Sequence, residues 1–270
     1  MTDLKTSFSG SIPGYYDTCL GPAWFDAYAA DLVQRLAVGP GGDVLEIACG
    51  TGIVTRRLRE RLSPAVRLVA TDLSKAMVDY ASSKLRDRQG IEWREADAVE
   101  LPFGDGEFGS VVCAFGVMFV PDKPAVFREV RRVLKEGGTF LFNVWDRIEE
   151  NPHAAIGAEV VEGLFPGDAE VRFRIPYEMH DFALLRTLLN DARFKEVSIE
   201  KKRIEVGRVS ARDIAIGQIR GTPRSLLIEK RGVSLDNVVD RVGAALANIG
   251  GADPYRGAAQ AVVVEARAIA

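Results

Sequence analysis

The stretch DVLEIACGTG, at residues 43–52, constrains the fold of this chain more than any other. Its apolar run from Val44 to Ile47 is interrupted by one acid, Glu46, and is followed by a turn that contains two glycines. A short apolar run of this kind is typical of a buried parallel strand. Glycines allow a tight turn and let a ligand approach the backbone closely. The stretch therefore predicts a buried strand that leads into a ligand-binding turn.

Strand-like and helical patterns alternate through the first half of the chain. The strand-like runs are VRLVATD, IEWREAD, SVVCAFGVMFV and TFLFNVWD, and the helical segments are IVTRRLRERL, SKAMVDYASSKLRDRQ and KPAVFREVRRVLKEGG. A βαβαβ order predicts an α/β fold, in which a doubly wound parallel sheet carries helices on both faces. We expect residues 1–147 to form this unit, with a helical segment at its N-terminus.

The second half of the chain has a different pattern. Strand-like alternation occurs near residues 197–206 and 261–269. Between these runs the sequence predicts two or three helices, broken at Gly221-Thr222-Pro223 and at Gly232. We expect residues 148–270 to supply the remaining strands of the sheet and a helical insertion that caps the substrate site.

Composition limits the partners and the compartment. The chain has 270 residues and a formal net charge of −3, so no basic excess favours nucleic acid or an anionic membrane surface. It contains no apolar run of the length that a transmembrane helix needs. Its three scattered cysteines are too few for a disulfide framework or a zinc cluster, and they favour a reducing compartment. We therefore expect a cytoplasmic protein with no metal site and no nucleic-acid or membrane partner.

Acids stand at the ends of three predicted strands. They are Glu46, Asp72 and Asp97. Ligands of parallel α/β sheets bind outside the carboxyl ends of the strands, so these side chains should lie at one edge. Asp72 follows the glycine turn by about twenty residues, a spacing that suits hydrogen bonds to ribose hydroxyls. A carboxylate at Asp97 could accept a hydrogen bond from an exocyclic amine such as that of adenine.

Two other classes of protein could use part of this pattern. A nicotinamide-dependent oxidoreductase would carry a third glycine, but the turn reads Gly50-Thr51-Gly52-Ile53-Val54-Thr55. A dinucleotide would also leave Glu46 without a role. A regulator that binds its cofactor without catalysing a reaction stays open as an alternative, since intact acids do not prove turnover.

The motifs of the first half, taken together, resemble those of the class I methyltransferases that use S-adenosylmethionine. In that family the first strand ends in an acid followed by x-Gly-x-Gly-x-Gly, and VLEIACGTG matches this motif with Ala48 in the first glycine position. The blocks EADAVELPFGDGEFGSVVCAFGVMFVPD and REVRRVLKEGGTFLFNVWD resemble the motifs that follow. The resemblance spans roughly residues 15–146 and is greatest to the small-molecule branch, related to enzymes that act on quinones. It implies a Rossmann-like, mostly parallel seven-stranded sheet with an antiparallel last strand.

The resemblance also implies which residues bind S-adenosylmethionine. Glu46 and the glycine turn would face the methionine part, Asp72 the ribose, Asp97 the adenine edge, and Tyr16 would close over the cofactor. The full implied cofactor set is Tyr16, Glu46, Ala48, Gly50, Thr51, Gly52, Asp72, Leu73, Met77, Asp97, Ala98, Phe115 and Gly116. The side chains expected to cap the substrate are Tyr15, Trp24, Phe25 and Phe119.

The expected reaction is an in-line displacement that delivers a methyl group to an O, N or C nucleophile of a small molecule and leaves S-adenosylhomocysteine. Such a reaction depends mainly on alignment and on the exclusion of water. A base is needed only if the nucleophile arrives protonated, and the two histidines of the chain, His153 and His180, are the candidates. The sequence does not identify the acceptor or the oligomeric state.

Overall fold

The structure is a computed structural model that describes Phe8, residues 10–37 and residues 42–269. Residues 1–7, 9, 38–41 and 270 of the predicted units lie outside the described part. Among the described residues, no helix is both long and apolar enough to cross a membrane.

Seven strands form one sheet in the order β3-β2-β1-β4-β5-β7-β6. The first four strands and β5 pair in parallel, and β7 runs antiparallel to β5. This arrangement confirms the predicted fold class. The strands are β1 (Val44–Ile47), β2 (Leu68–Asp72), β3 (Ile91–Glu95), β4 (Phe108–Ala114), β5 (Leu134–Trp145), β6 (Lys195–Glu205) and β7 (Ala258–Arg267).

Ten α-helices are described. Polar N-caps mark several of their starts: Ser74, Asp122 and Asp181 each accept a backbone N–H, and Ser210 forms a capping box with Asp213. The helices are α1 (Ile12–Tyr15), α2 (Asp26–Arg35), α3 (Ile53–Arg61), α4 (Lys75–Lys84), α5 (Lys123–Val133), α6 (Pro152–Leu164), α7 (Phe182–Asp191), α8 (Ala211–Arg220), α9 (Arg224–Lys230) and α10 (Leu235–Gly250).

The strand order places a topological switch point between β1 and β4. From β1 the chain moves outward through β2 and β3, and it then returns to add β4 on the other side of β1. The carboxyl ends of β1 and β4 therefore lie side by side, and connections leave them in opposite directions. Open α/β sheets bind their ligands in the crevice at such a point.

A buried apolar cluster holds this part of the sheet to its helices. Leu32 from α2 and Leu58 from α3 pack with Val44, Val112 and Leu141 from three neighbouring strands. All five side chains are fully buried, as the apolar runs in the sequence predict. Burying a side chain of this size contributes about 1.5–3 kcal/mol, so the cluster fixes the strand ends firmly.

The chain forms two compact units, each made from three stretches. One, the sheet unit, comprises residues 29–146, 176–202 and 261–270. The other, the helical unit, comprises residues 1–28, 147–175 and 203–260 and includes the helices α8, α9 and α10. The break between α8 and α9 falls at residues 221–223, as predicted. The division of the sequence after residue 147 stays a prediction.

Several boundaries differ from those predicted; the run KPAVFREVRRVLKEGG was expected to be helical throughout, but α5 ends at Val133 and β5 begins at Leu134. The run SVVCAFGVMFV was expected to form one strand, but β4 ends at Ala114 and Val117–Phe119 form a 3₁₀ turn. The strand ends because Phe115 adopts a left-handed backbone with φ of +53°. The N-terminal helical segment, which the apolar spacing predicts from about residue 22, begins at Ile12, and Tyr16–Phe25 form a π-helix that contains Pro22.

Candidate active site

The turn after β1 has an unusual backbone. Ala48, Gly50 and Gly52 have φ values of +53°, +53° and +77°. Gly52 is also the N-cap of α3, so the turn leads directly to a helix N-terminus, whose first N–H groups have no partner within the helix. A Cβ on Gly50 would meet no atom within 4 Å, so open space adjoins the backbone there. The turn can therefore accept a ligand against its main chain.

Asp72, at the end of β2, connects this turn to the next one. Its Oδ2 accepts the Gly50 N–H at 2.8 Å, and its Oδ1 accepts the Ser74 N–H at 2.8 Å. Burial raises the pKa of Asp72, while the two backbone N–H groups act against the rise. Leu73, beside it, is 65% exposed, which is rare for a large apolar side chain in this protein. An anchored acid thus stands next to an apolar surface that is open to solvent.

Glu46 lies inside β1 and is only 1% exposed. Its Oε2 has no hydrogen-bond partner among the described residues. Burial raises the pKa of Glu46 to about 8, the nearby Asp72 charge adds to the rise, and Thr55 opposes it. Glu46 is therefore mostly protonated at neutral pH, and a cation beside it would favour the carboxylate.

The corner after β4 fits closely against the turn after β1. A Cβ on Gly116 would lie 2.4 Å from the Ala48 Cβ and 2.7 Å from the Cys113 Sγ, so only glycine fits there. Ala48 and Phe115 are two of the four non-glycine residues with positive φ among those described. Strained backbone of this kind is typical of functional sites, and here it occurs on both sides of the switch point.

The other predicted cofactor residues of the sheet unit have more ordinary environments. Asp97 is exposed and its Oδ1 accepts the Val99 N–H at 3.0 Å, as a loop-capping acid would. The Ala96 N–H donates to the Asp72 carbonyl at 3.0 Å, which brings the end of β3 beside Asp72. Met77, on α4, is 4% exposed and belongs to the buried core, and Ala98 is half-buried.

Four of the predicted residues, Tyr15, Tyr16, Trp24 and Phe25, belong to the helical unit. Tyr16 stacks on Phe25, with ring centres 4.8 Å apart, and Trp24 stacks on His153, with ring centres 4.3 Å apart. The Arg220 guanidinium lies 5.8 Å from the centre of the Tyr15 ring. Their roles over the cofactor and substrate stay predictions.

The two histidines have different environments. His153 is 1% exposed, and burial lowers its pKa to about 4, so the ring is neutral at pH 7. His180 is half-buried in the sheet unit, and its Nδ1 lies 2.8 Å from the Tyr177 carbonyl oxygen. Neither ring is singled out as a base by these contacts.

Two residues near the end of β5 were missed by the sequence prediction. The Asn143 Oδ1 accepts the Phe115 N–H at 3.0 Å. The Trp145 ring lies 4.4 Å from the Phe115 ring and 6.1 Å from the Tyr177 ring, so the three aromatic side chains form one cluster, in which Phe115 and Trp145 are buried. The signal in the sequence is the polar Asn143 inside the apolar run TFLFNVWD. In the described part of the chain no three His, Cys, Asp or Glu side chains come together as a metal ion would require.

Comparisons with known proteins identify the class. A sequence family described as a methyltransferase domain matches residues 45–142, which include the ends of β1, β2 and β4. A demethylmenaquinone methyltransferase of Lactobacillus johnsonii is 30% identical over 190 residues, which cover 65% of this chain and 77% of that protein. A ubiquinone/menaquinone biosynthesis C-methyltransferase UbiE of Hahella chejuensis is 36% identical over 112 residues, 40% of this chain and 45% of that protein.

A solved structure shows the same fold. It is a phosphoethanolamine N-methyltransferase of Haemonchus contortus in complex with S-adenosylhomocysteine, with a TM-score of 0.62 at 14% identity. The match covers 99% of this chain and 60% of that one.

The strand order, the strained switch point and these relatives define an S-adenosylmethionine-dependent enzyme fold. The chain belongs to the class I S-adenosylmethionine-dependent methyltransferases, in the branch that includes the quinone-type enzymes. Its cofactor is S-adenosylmethionine, and it transfers a methyl group to a small molecule. This membership decides against the nicotinamide-dependent oxidoreductase that the sequence left as an alternative.

Proposed function

We propose that this chain methylates a ring carbon of a reduced, quinone-type aromatic molecule, with S-adenosylmethionine bound along the carboxyl ends of β1 to β4. The single observation that carries the cofactor part is the pair of 2.8 Å hydrogen bonds by which Asp72 joins the turns after β1 and β2. The acceptor class is supported by the relatives, which are named for demethylmenaquinone and ubiquinone/menaquinone.

The residues present at this edge fit the nucleoside part of the cofactor. Each Asp72 oxygen already accepts one N–H, and each has a lone pair left for a ribose hydroxyl. Leu73, at 65% exposure, would be covered by adenine, and the buried Met77 would support it from below. Asp97 and Ala98, after the adjacent strand, would contact the exocyclic amine and the edge of adenine.

Glu46 fits the methionine part. Its unpartnered Oε2 would accept a proton of the cofactor ammonium, directly or through a water molecule. A buried carboxyl without a cation stays protonated, whereas a cation nearby favours its charged form. Gly50, Thr51 and Gly52 would supply close backbone contacts, and Phe115 and Gly116 would adjoin the reactive methyl. Tyr16 would close over the bound cofactor.

The acceptor would contact aromatic side chains. Phe115, Trp145 and Tyr177 present three neighbouring rings in the sheet unit, and flat faces of this kind suit a planar ring. Tyr15, Trp24, Phe25 and Phe119 remain the proposed cap residues. The bound cofactor supplies an electrophilic methyl group. The residues of the chain would hold the acceptor in line and exclude water, which is where most of the acceleration would arise.

The transfer is balanced by loss of one proton from the acceptor. A ring carbon gains the methyl group and loses its hydrogen as a proton, and S-adenosylmethionine becomes S-adenosylhomocysteine. A hydroquinone is electron-rich enough for this attack, and it becomes more so when a hydroxyl is deprotonated. His153 and His180 are the proposed bases, and His153, with a pKa of about 4, would be a weak one.

The test is methyl transfer from S-adenosylmethionine labelled at the methyl carbon to demethylmenaquinone, supplied either reduced or oxidised. We expect label in the extracted product only with the reduced ring, because the oxidised ring is electrophilic. The Asp72→Ala variant should give much less label at the same cofactor concentration. Cofactor binding without transfer to this or any other small molecule would instead support the non-catalytic regulator.

We also propose a cytoplasmic location. Cys19, Cys49 and Cys113 are all free and buried, and burial raises the pKa of Cys113 to about 12. Such thiols are unreactive and suit a reducing compartment. Fractionation of cells that express the tagged chain would test the location, and recovery in the membrane or secreted fraction would overturn it.

A further inference from the structure

Asn143 is a fully buried amide in the apolar strand β5. Its side-chain Oδ1 and its main-chain carbonyl oxygen each accept the Phe115 N–H, both at 3.0 Å. One N–H is therefore shared between two acceptors of a single residue that lies 28 positions away in the sequence. The main-chain acceptor continues the β4–β5 ladder, and the side-chain acceptor is an addition that only this residue type supplies.

Phe115 is a residue whose backbone needs such support. Its φ of +53° lies in the left-handed region, which residues with a Cβ rarely adopt. On the opposite side, the corner is limited by the close approach of Gly116 to Ala48. The corner is thus held by the β1 turn on one side and by the Asn143 amide on the other.

The remaining atom of the amide shows that stability alone does not explain this residue. The Asn143 Nδ2 is buried and has no hydrogen-bond partner among the described residues. An unsatisfied buried donor destabilises a fold, and an apolar side chain of the same shape removes that cost. Leucine has nearly the shape of asparagine and suits the interior of a strand better. The unsatisfied Nδ2 therefore carries a stability cost that leucine would avoid, and costs of this kind often occur at functional positions.

We propose that Asn143 is a positioning residue for methyl transfer, which holds Phe115 and Gly116 in the strained corner that adjoins the cofactor. It acts through the Phe115 backbone and not by contact with the reacting atoms. The proposal rests on the proposed function, because that function assigns the corner to the methyl end of the cofactor.

The test compares Asn143→Leu with the parent in three measurements: thermal unfolding without cofactor, calorimetric affinity for S-adenosylmethionine, and the rate of transfer to reduced demethylmenaquinone. We expect the leucine variant to unfold at the same or a higher temperature. Its cofactor affinity should fall at least fivefold and its transfer rate at least tenfold. Asn143→Asp, measured at pH 6 where burial favours the neutral carboxyl, keeps the acceptor and should recover most of both losses.

A matched control is Asn151→Leu. Asn151 is also fully buried, but it links to the Gln260 backbone at both of its side-chain atoms, at 2.9 and 3.0 Å. Its leucine variant should lose stability and keep the parent's cofactor affinity.

The outcomes separate the two proposals. A parent that does not bind S-adenosylmethionine overturns the proposed function. A parent that binds, with an Asn143→Leu variant of equal affinity, overturns only the positioning role. A leucine variant that is less stable than the parent also overturns it, because the residue is then structural. If the parent binds S-adenosylmethionine but does not methylate demethylmenaquinone, the affinity and unfolding measurements still decide whether Asn143 positions the corner.

Discussion

The sheet unit and the helical unit bury polar side chains in different settings. In the sheet unit two of the buried side-chain atoms without a hydrogen-bond partner belong to Glu46 and Asn143, near the carboxyl ends of β1 and β5. The strand register pairs Glu46 with Val112 and Ala114 with Asn143, so both polar side chains lie on one face of the sheet. In the helical unit, Gln218 on α8 has an unpartnered Oε1, while its Nε2 donates to the His153 carbonyl on α6.

The difference indicates what each unit is built to do. In the sheet unit, buried acceptors and donors coincide with strained backbone at the edge where parallel sheets bind ligands. In the helical unit, the polar atoms lie between packed helices, where close glycine contacts dominate: a Cβ on Gly157 would come within 2.1 Å of the Gln218 Oε1. The sheet unit therefore carries recognisable cofactor chemistry, and the helical unit is specified mainly by shape.

The largest effect that would sharpen this contrast is expected for Asp72→Ala. Loss of two hydrogen bonds to a charged acceptor should cost about 2–4 kcal/mol of binding free energy. This corresponds to about 30- to 700-fold weaker binding of S-adenosylmethionine, measured by equilibrium dialysis. Asp79→Ala is the control, since Asp79 forms only an exposed ion pair with Lys75, and such pairs contribute little. Equal affinities for the two variants would contradict the role of Asp72.

A second test places an extra methyl group in each unit. Gly116→Ala in the sheet unit forces a clash with the Ala48 Cβ, and Gly250→Ala in the helical unit forces one with the Tyr255 ring at 2.3 Å and the Arg256 carbonyl oxygen at 2.6 Å. Each variant should lose about 1–3 kcal/mol of stability in urea unfolding. Only Gly116→Ala should also weaken cofactor binding. A similar loss of cofactor affinity in both variants would contradict the assignment of cofactor binding to the sheet unit alone.

The pH dependence of stability provides a third test in the sheet unit. The pKa of Glu46 is about 8 in the folded chain, whereas a glutamate side chain in water ordinarily has a pKa near 4.5. The contribution of the protonated Glu46 to the free energy of unfolding is therefore fully present below about pH 4.5, and it is lost progressively as the pH rises to about 8. Glu46→Gln cannot ionise, so its advantage over the parent in urea midpoint should grow across that range. If the urea midpoints of Glu46→Gln and the parent differ by the same amount from pH 4.5 to 8, the pKa of Glu46 is not raised in the folded chain.

His153, in the helical unit, should give a pH dependence of stability that is smaller than that of Glu46 and opposite in direction. Its folded pKa of about 4 lies below the ordinary 6.5, so its contribution is present above pH 6.5 and is lost as the pH falls to 4. His153→Phe, which keeps the stack on Trp24, should remove this acid loss and leave the alkaline loss of Glu46 intact. The same urea series measures both, and unchanged acid sensitivity in the variant would argue against a buried neutral histidine.

The sequence sufficed for the parts of the site that depend on strand ends. Glu46, Asp72 and Asp97 follow or close apolar runs, and parallel pairing necessarily brings such positions to one edge. The mostly parallel seven-stranded sheet and its antiparallel last strand followed from the family resemblance, whereas the order of the strands was not predicted. The binding roles of these residues stay predictions until a cofactor titration is done.

What the sequence did not reveal depends on contacts between distant residues. The end of β4 could not be predicted because Phe115 leaves the extended region at a corner that packs against distant residues, among them Asn143, 28 residues away. The π-helix at Tyr16–Phe25 was also missed. It packs against glycines far along the chain: a Cβ on Gly207 would lie 2.0 Å from the Pro22 carbonyl oxygen. Such shape matching leaves no periodic pattern in the sequence.

The most direct test of the central claim is a calorimetric titration of the parent chain with S-adenosylmethionine at pH 7, repeated in buffers of different ionisation enthalpy. We predict saturable binding at one site with net release of protons, since the cofactor ammonium should convert the protonated Glu46, with its pKa of about 8, to the carboxylate. The absence of binding heat in every buffer would contradict the assignment of the strand-end acids to this cofactor.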